Sequence, residues 1–339
     1  MALTTAEQRA WLDQVIEPTV DPTRAIVDPH HHLWRGVPGG SLPPFLLEDL
    51  WTDTESGHNI QQTVFMECGA EYRTTGPAHL LPVGETEFVT ATAQASRGKG
   101  KAEIAALVAH TDLTQDTGLI REVLSAHETA GQGLFRGIRQ GGAHDADRVT
   151  GWLNATPIAD LYARPEFRLG VSLLGKMGLT YDTWHYHFQN ADYLALARAC
   201  PDTVMVLDHF GSPVRVGHFA NKHDEVLAQW KQDILAISQC ENVFAKIGGL
   251  AMPCNGFGWE QAAKPPTSDE VVAAQRDYYL YAIDCFGPER CMFESNFPVD
   301  KMSLSYSVYW NAMKKLTADF SEADKEALFS GTARRVYKL

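Results

Sequence analysis

The sequence predicts a (β/α)8 TIM barrel, and three observations carry that expectation. Short apolar runs rich in β-branched residues alternate with helical patterns, as repeated strand–helix units require. Eight such runs suit a closed barrel better than an open sheet. Uncommon polar residues recur at the C-terminal ends of these runs, where barrels of this kind place their chemistry. A length of 339 residues fits one such barrel. No internal repeat, low-complexity tract or Ser/Gly linker divides the chain. Residues 1–339 are therefore read as one domain, with 1–23 as an N-terminal extension.

In chain order, the strand candidates are Ala25–His30, Gln62–Cys68, Ile104–His110 and Leu134–Arg139, then Leu179–His187, Thr203–Phe210, Asn242–Leu250 and Arg290–Phe297. Between them lie amphipathic stretches such as Asp224–Ser238 and Ser268–Phe286; in the second, Ser268 with Asp269 and Glu270 makes a helix start. Glu67, His110, Arg139 and His187 fall at or near the ends of the second to fifth runs, Asp208 and His209 at the end of the sixth, and Glu294 and Asn296 near the end of the eighth. Such groups are costly to bury unless paired or metal-bound. A single one is more often a satisfied core residue, but this many at one rim point to a site.

The first run ends in Ile26-Val27-Asp28-Pro29-His30-His31-His32-Leu33-Trp34. Side chains at i and i+2 of a strand share a face, so Asp28, His30 and His32 are expected on one side and Pro29 and His31 on the other. Two imidazoles on one face can share a metal ion, because neutral imidazole suits zinc, iron, copper and nickel. A tag remnant would not be embedded between Ile26 and Trp34.

Composition excludes several functions. Hydrophobic residues make up 45% of the chain and charged ones 21%, as in a globular protein with a substantial core. No run approaches the roughly 18 apolar residues of a membrane span, and no signal-peptide pattern opens the sequence. A net charge of -13 argues against nucleic-acid binding, which rests on neutralising phosphates. The six cysteines form no CxxC pair, which implies reduced thiols and a cytoplasmic location.

Long segments follow the first, second and seventh runs (35–48, 69–84 and 251–267), as lids and substrate walls do. Tyr72, Arg73, Arg139 and Trp259 are the candidates to meet a small-molecule substrate, with Phe257 beside them; the alternative is that the loop aromatics simply pack the loops down. Arg97-Gly98-Lys99-Gly100-Lys101 looks like a phosphate loop but precedes the third run, at the opposite end of a barrel, and is read as a solvated turn.

With these residues in view, the chain resembles the amidohydrolase superfamily of metal-dependent TIM barrels. The resemblance rests on Val27–Trp34, on Leu207-Asp208-His209-Phe210-Gly211, and on the segment from Cys291 to Lys301. It implies that His30 and His32 are the first-strand metal pair and that His187 and His209 match the fifth- and sixth-strand histidines. Asn296 then occupies the eighth-strand aspartate position, which is a departure. An amide is no general base, although its carbonyl oxygen ligates weakly. Two carboxylates outside the general pattern, Glu67 and Glu294, stand nearby in sequence. With them the chain looks like a sub-branch that includes nonheme diiron monooxygenases, many thought to act on CoA-linked substrates.

Two readings follow. The first is a two-iron oxygenase hydroxylating a carboxylic acid or CoA thioester, with an external electron donor; its metal ligands are drawn from His30, His32, Glu67, His187, His209 and Asn296. The second is a hydrolase of the lactonase or amidohydrolase type, with zinc or manganese activating water. Asn296, Glu294 and Asp208 are the candidate catalytic groups, and in the second reading Asp208, Glu67 or Asp300 substitutes as the base. Self-association into a homo-oligomer is left open by the sequence.

Overall fold

The structure is a computed structural model that describes residues 5–36, 43–146 and 156–339. Eight strands lie in the order β1-β2-β3-β4-β5-β6-β7-β8, and every pairing between neighbours is parallel. They are β1 (Ala25–His31), β2 (Asn59–Met66), β3 (Glu103–Ala109), β4 (Phe135–Arg139), β5 (Thr180–Thr183), β6 (Met205–Leu207), β7 (Val243–Gly248) and β8 (Cys291–Glu294). Helices α1 (Thr5–Leu12), α2 (Leu47–Thr54), α3 (Val83–Ser96), α4 (Thr117–Gly131), α5 (Pro165–Lys176) and α6 (Asn190–Ala199) precede or follow the first five strands. They are followed by α7 (His223–Ser238), α8 (Ser268–Phe286), α9 (Tyr306–Leu316), α10 (Glu322–Glu326) and α11 (Thr332–Tyr337). This is the expected (β/α)8 barrel.

The ring closes where the first strand meets the segment after the eighth. His32 N donates to the carbonyl of Phe297 at 2.8 Å, and Asn296 N donates to that of His30 at 3.0 Å. Closure and the first-strand histidines therefore share one seam at the C-terminal mouth.

Two apolar layers hold the barrel. The outer one packs the strands against the helices, with Ile26, Phe65, Leu107, Phe167, Trp230 and Phe293 fully buried. The inner one fills the floor with Val27, Val64, Met66, Ala106, Val108, Val206 and Met292, and α11 adds Ala333, Val336 and Tyr337 from below. Each fully buried Val, Leu, Ile, Phe or Met among them contributes roughly 1.5–3 kcal/mol of transfer free energy.

The inner layer shows a change of phase in β1. Val27 points inward with the floor residues. Asp28 faces outward, accepting from Tyr306 Oη at 2.8 Å and from Ser295 N at 3.0 Å. His31 also faces outward, bonded to Thr63 Oγ1 at 3.0 Å and set edge-on against Phe65. The β1–β2 register shifts between Asp28 and His31, as an extra residue in one strand produces. The expectation that Asp28 shares a face with His30 and His32 is thus corrected: a bulge at Pro29 turns the two histidines inward and leaves Asp28 as a latch to the eighth strand and α9.

Three strands end earlier than their apolar runs suggest. β5 stops at Thr183, and His187 lies in a short 3-10 turn, His187–Gln189. β6 stops at Leu207, where His209 and Phe210 take left-handed backbone angles, φ 54° and 57°. β8 stops at Glu294, just before Asn296 at φ 56°. Apolar content continues past each end because the turns are buried, so composition alone does not mark them. The Arg97–Lys101 segment is a turn at the far end, where Lys101 pairs with Glu55 at 2.7 Å.

Candidate metal centre

Four side chains converge at the mouth. His30 and His32 come from β1 by the phase change just described. His209 is carried back over the barrel by its left-handed turn, and Glu294 points inward from the last residue of β8. His30, His209 and Glu294 each offer a ligand atom within 4.8 Å of the others, and all three are buried. The Nε2 atoms of His30 and His32 face one another at 3.2 Å. Glu294 spans the two other rings: Oε1 lies 2.7 Å from Nδ1 of His209 and Oε2 lies 2.7 Å from Nδ1 of His30.

Two glycines make the room. A Cβ at Gly248 would lie 2.5 Å from Glu294 Cγ, and one at Gly249 would lie 2.2 Å from His209 Nδ1. Gly249 also has φ +69°, where an L side chain is strained. The Gly248-Gly249 pair was the sequence signal for this crowding.

Proton bookkeeping fixes the state of the histidines. His32 Nδ1 meets the carbonyl of Met66 at 2.9 Å, and a carbonyl only accepts, so this nitrogen carries the proton and Nε2 a lone pair. Arg139 Nη1 lies 3.3 Å from Nε2 of His30, and a guanidinium only donates, so that nitrogen also presents a lone pair. Two lone pairs thus face each other at 3.2 Å in a buried site. The Nδ1 of His30 and the Oε2 of Glu294, although 2.7 Å apart, have no partner in hydrogen-bonding geometry. A divalent cation fits the unprotonated imidazole nitrogens, with the Glu294 carboxylate set against the Nδ1 edge of His30. Burial, before any charge effect, holds His30 and His32 well below the usual imidazole range and pushes His209 down to about 3, so all three are neutral, as ligands must be. Burial pushes Glu294 up to about 8 against the pull of Lys246; a bound cation favours its ionised form.

The remaining sequence candidates are placed as follows. Asp208 points into the centre, fully buried, with Oδ2 3.5 Å from Arg139 Nη1 and 3.8 Å from His30 Nδ1. Glu67 is held by Arg139, whose Nε donates to Oε1 at 2.9 Å and whose Nη2 contacts the Glu67 carbonyl. Asn296 turns its amide away, donating to Asp300 at 2.8 Å. His187 accepts from Val214 N at 3.1 Å and packs its ring on Phe188 and Phe219; the structure does not bring it to the other donors. His110 donates from Nδ1 to the Arg139 carbonyl at 3.1 Å. Tyr72 is half-buried near Glu67, and burial raises its phenol. Arg73 is paired with Glu87 and lines an outer groove with Arg35, Leu47 and Phe88. Trp259 stacks on Phe257, ring centroids 5.0 Å apart, against the outer core.

Sequence reasoning passed over three residues beneath the centre. Lys246, in the middle of β7, is fully buried and reaches Asp182 of β5 at 2.9 Å and Asp208 at 3.1 Å. Tyr337 of α11 donates to the same Asp182. The signal was present, a lysine and an aspartate inside apolar strands, but their partnership needs the register of three strands.

The amidohydrolase family model Amidohydro_2 matches residues 27–339, nearly the whole barrel. The chain belongs to this amidohydrolase family. This amidohydrolase is 31% identical over 335 residues to the uncharacterized protein y4mH of Sinorhizobium fredii, covering 93% of this chain and 99% of that protein. It is 28% identical over 175 residues to an L-fucono-1,5-lactonase of Burkholderia multivorans, a match spanning 51% of this chain and about half, 56%, of the lactonase. A crystal structure of a Burkholderia multivorans amidohydrolase with bound zinc superposes with a TM-score of 0.71 at 23% identity, covering 93% of this chain and all of that one. That likeness establishes the fold. No helix among the described residues is long and apolar enough to cross a membrane.

Proposed function

We propose that this amidohydrolase is a metal-dependent hydrolase of cyclic esters, with one divalent cation held by His30, His32 and His209 and with Glu294 orienting His30 and His209 from their Nδ1 sides. The observation that carries the reading is the pair of unprotonated Nε2 atoms 3.2 Å apart, with Glu294 bracing the Nδ1 sides of His30 and His209. Zinc bound there supplies a Lewis acid and a nucleophilic water at neutral pH. The likeness to a lactonase supports the substrate class.

The chain's own groups take the other roles. Arg139, buried at the end of β4, directs a guanidinium over the centre and suits the carbonyl or carboxylate oxygen of a lactone. Glu294, ionised when a cation is bound, orients His30 and His209 through its two Oε atoms. Asp208, flanked by Arg139 and Lys246, stays close to the reacting position as a second carboxylate.

The oxygenase expectation draws less support. The further ligands two irons would need are engaged elsewhere: Glu67 with Arg139, Asn296 with Asp300, and His187 with Val214. The relatives reported above also support hydrolysis rather than oxygenation.

The test is metal analysis together with two assays on zinc- and iron-loaded protein: proton release from a panel of sugar and simple δ-lactones, and oxygen uptake with carboxylic acids and acyl-CoA thioesters. One equivalent of metal with lactone hydrolysis is expected. Two equivalents of iron with oxygen uptake would overturn the reading.

A further inference from the structure

Lys246 is a cation without access to water, at the boundary between the apolar floor and the polar mouth. Its Nζ lies 2.9 Å from Asp182 Oδ2 and 3.1 Å from Asp208 Oδ1, and 5.2 Å from the ring centroid of Tyr337. Asp182 is in turn fixed by Tyr337 Oη and by Thr180 Oγ1, the latter at 2.9 Å. Asp208 has no such brace. Among the described residues neither of its oxygens makes a hydrogen bond, and two cations flank it, Lys246 on one side and Arg139 on the other. Lys246 is the cation that draws the Asp208 carboxylate away from Arg139 and His30.

We propose that Lys246 is a positioning residue, which draws Asp208 back from His30 and offsets part of the negative charge around the metal, and that α11 holds Lys246 in register through Tyr337 and Asp182. The helix that seals the floor thereby takes part in setting the mouth. This rests on the metal-centre reading above. Its distinguishing consequence is a pair of effects in opposite directions. Loss of a structural strut loosens a site and weakens metal binding. Loss of a positive charge from a centre already holding Glu294 and Asp208 strengthens binding of a cation while misplacing Asp208.

The experiment measures zinc dissociation constants by competition with a chromophoric chelator, and kcat and KM for the best lactone found, on the full chain. Lys246→Met keeps the stem and removes the charge; we expect zinc to bind about three- to tenfold more tightly while kcat falls at least about tenfold with KM little changed. Lys246→Met with Asp182→Asn removes one charge of each sign; here zinc affinity should return to the wild-type value while kcat stays low. Tyr337→Phe, which deletes only the hydroxyl that braces Asp182, should lower kcat by about two- to fivefold. Weaker zinc binding in Lys246→Met, recovery of kcat in the double variant, or unchanged kcat in Tyr337→Phe would each overturn the proposal. If Lys246→Met does not fold, the double variant and Tyr337→Phe decide. If the wild type binds zinc but opens no lactone, the substrate reading fails, and the zinc affinities of Lys246→Met and the double variant still decide this one.

Discussion

Asn296 Nδ2 donates to Asp300 Oδ1 at 2.8 Å, and Asp300 N donates back to the carbonyl of Asn296 at 3.1 Å. The amide at the eighth-strand aspartate position is therefore part of a closed loop contact, and Glu294, two residues earlier, brings the β8 carboxylate to the histidines. Because Asp300 is fully buried and burial already pushes it up to about 8, a second carboxylate beside it is unfavourable. Asn296→Asp is expected to lower the melting temperature by a few degrees, about 1–2 kcal/mol, without raising hydrolysis. Thermal denaturation and lactone turnover check this; a gain in hydrolysis would restore Asn296 to the centre.

Removal of the Glu294 charge should act on both imidazoles at once. Glu294→Gln keeps the volume but offers one amide group to two Nδ1 atoms that each meet a carboxylate oxygen. Loss of about 10- to 100-fold in zinc affinity is expected, as for other groups that orient metal-binding histidines. Chelator competition provides the measurement. Wild-type affinity in the variant would show that Glu294 neither orients nor binds.

The three consecutive histidines separate by face. His32→Ala should strip the metal, whereas His31→Ala, which loses a bond to Thr63 Oγ1 and an edge contact with Phe65, should retain it and cost about 1–3 kcal/mol of stability. Metal content and melting temperature of the two variants, side by side, give the answer. Equal metal loss would contradict the inward turn of His30 and His32.

A pH effect remote from the metal is also expected. Burial lowers Lys314 to about 8, although its Nζ donates to the Asp21 carbonyl and to His58 Nδ1, both at 2.8 Å. The unfolded chain keeps the ordinary value near 10.5. Between these two values the unfolded state binds more protons, so the Lys314 contribution to stability rises as pH increases from about 8 to about 10.5. Lys314→Met should remove that rise, read as the difference between variant and wild-type melting curves across the range. A pH-independent difference would reject the assignment.

Much of the barrel was legible in the sequence because strand periodicity is local. The Ile104–His110 and Leu134–Arg139 runs match β3 and β4 to within a residue at each end, whereas Gln62–Cys68 starts three residues after the start of β2 and ends two residues past its end. Where β5, β6 and β8 end was not legible, since the turns at His209, Phe210 and Asn296 are stabilised by contacts with other strands, such as His209 N to Glu294 Oε1 at 3.1 Å. The pairing of His30 with His32 followed from their spacing, yet the same spacing misplaced Asp28. Alternation holds only within an unbroken ladder, and Pro29 interrupts it. Glu294 was visible as a surplus carboxylate, but its span across His30 and His209 depends on the space left by Gly248 and Gly249. Lys246 was missed because a lone lysine in an apolar run gives no hint of partners that lie 64 and 38 residues away in sequence.

The burial of Lys246 has a spectroscopic consequence. An ammonium sealed between the floor of Val206, Met292 and Tyr337 and the carboxylates of Asp182 and Asp208 exchanges its protons with solvent only when the barrel opens locally. Surface lysine protons exchange too fast to be seen at neutral pH, so a nitrogen-15 labelled sample should show the Lys246 amine as a resolved, slowly exchanging signal. That signal would report on the centre from beneath, and its shift on adding zinc would follow metal loading without any substrate.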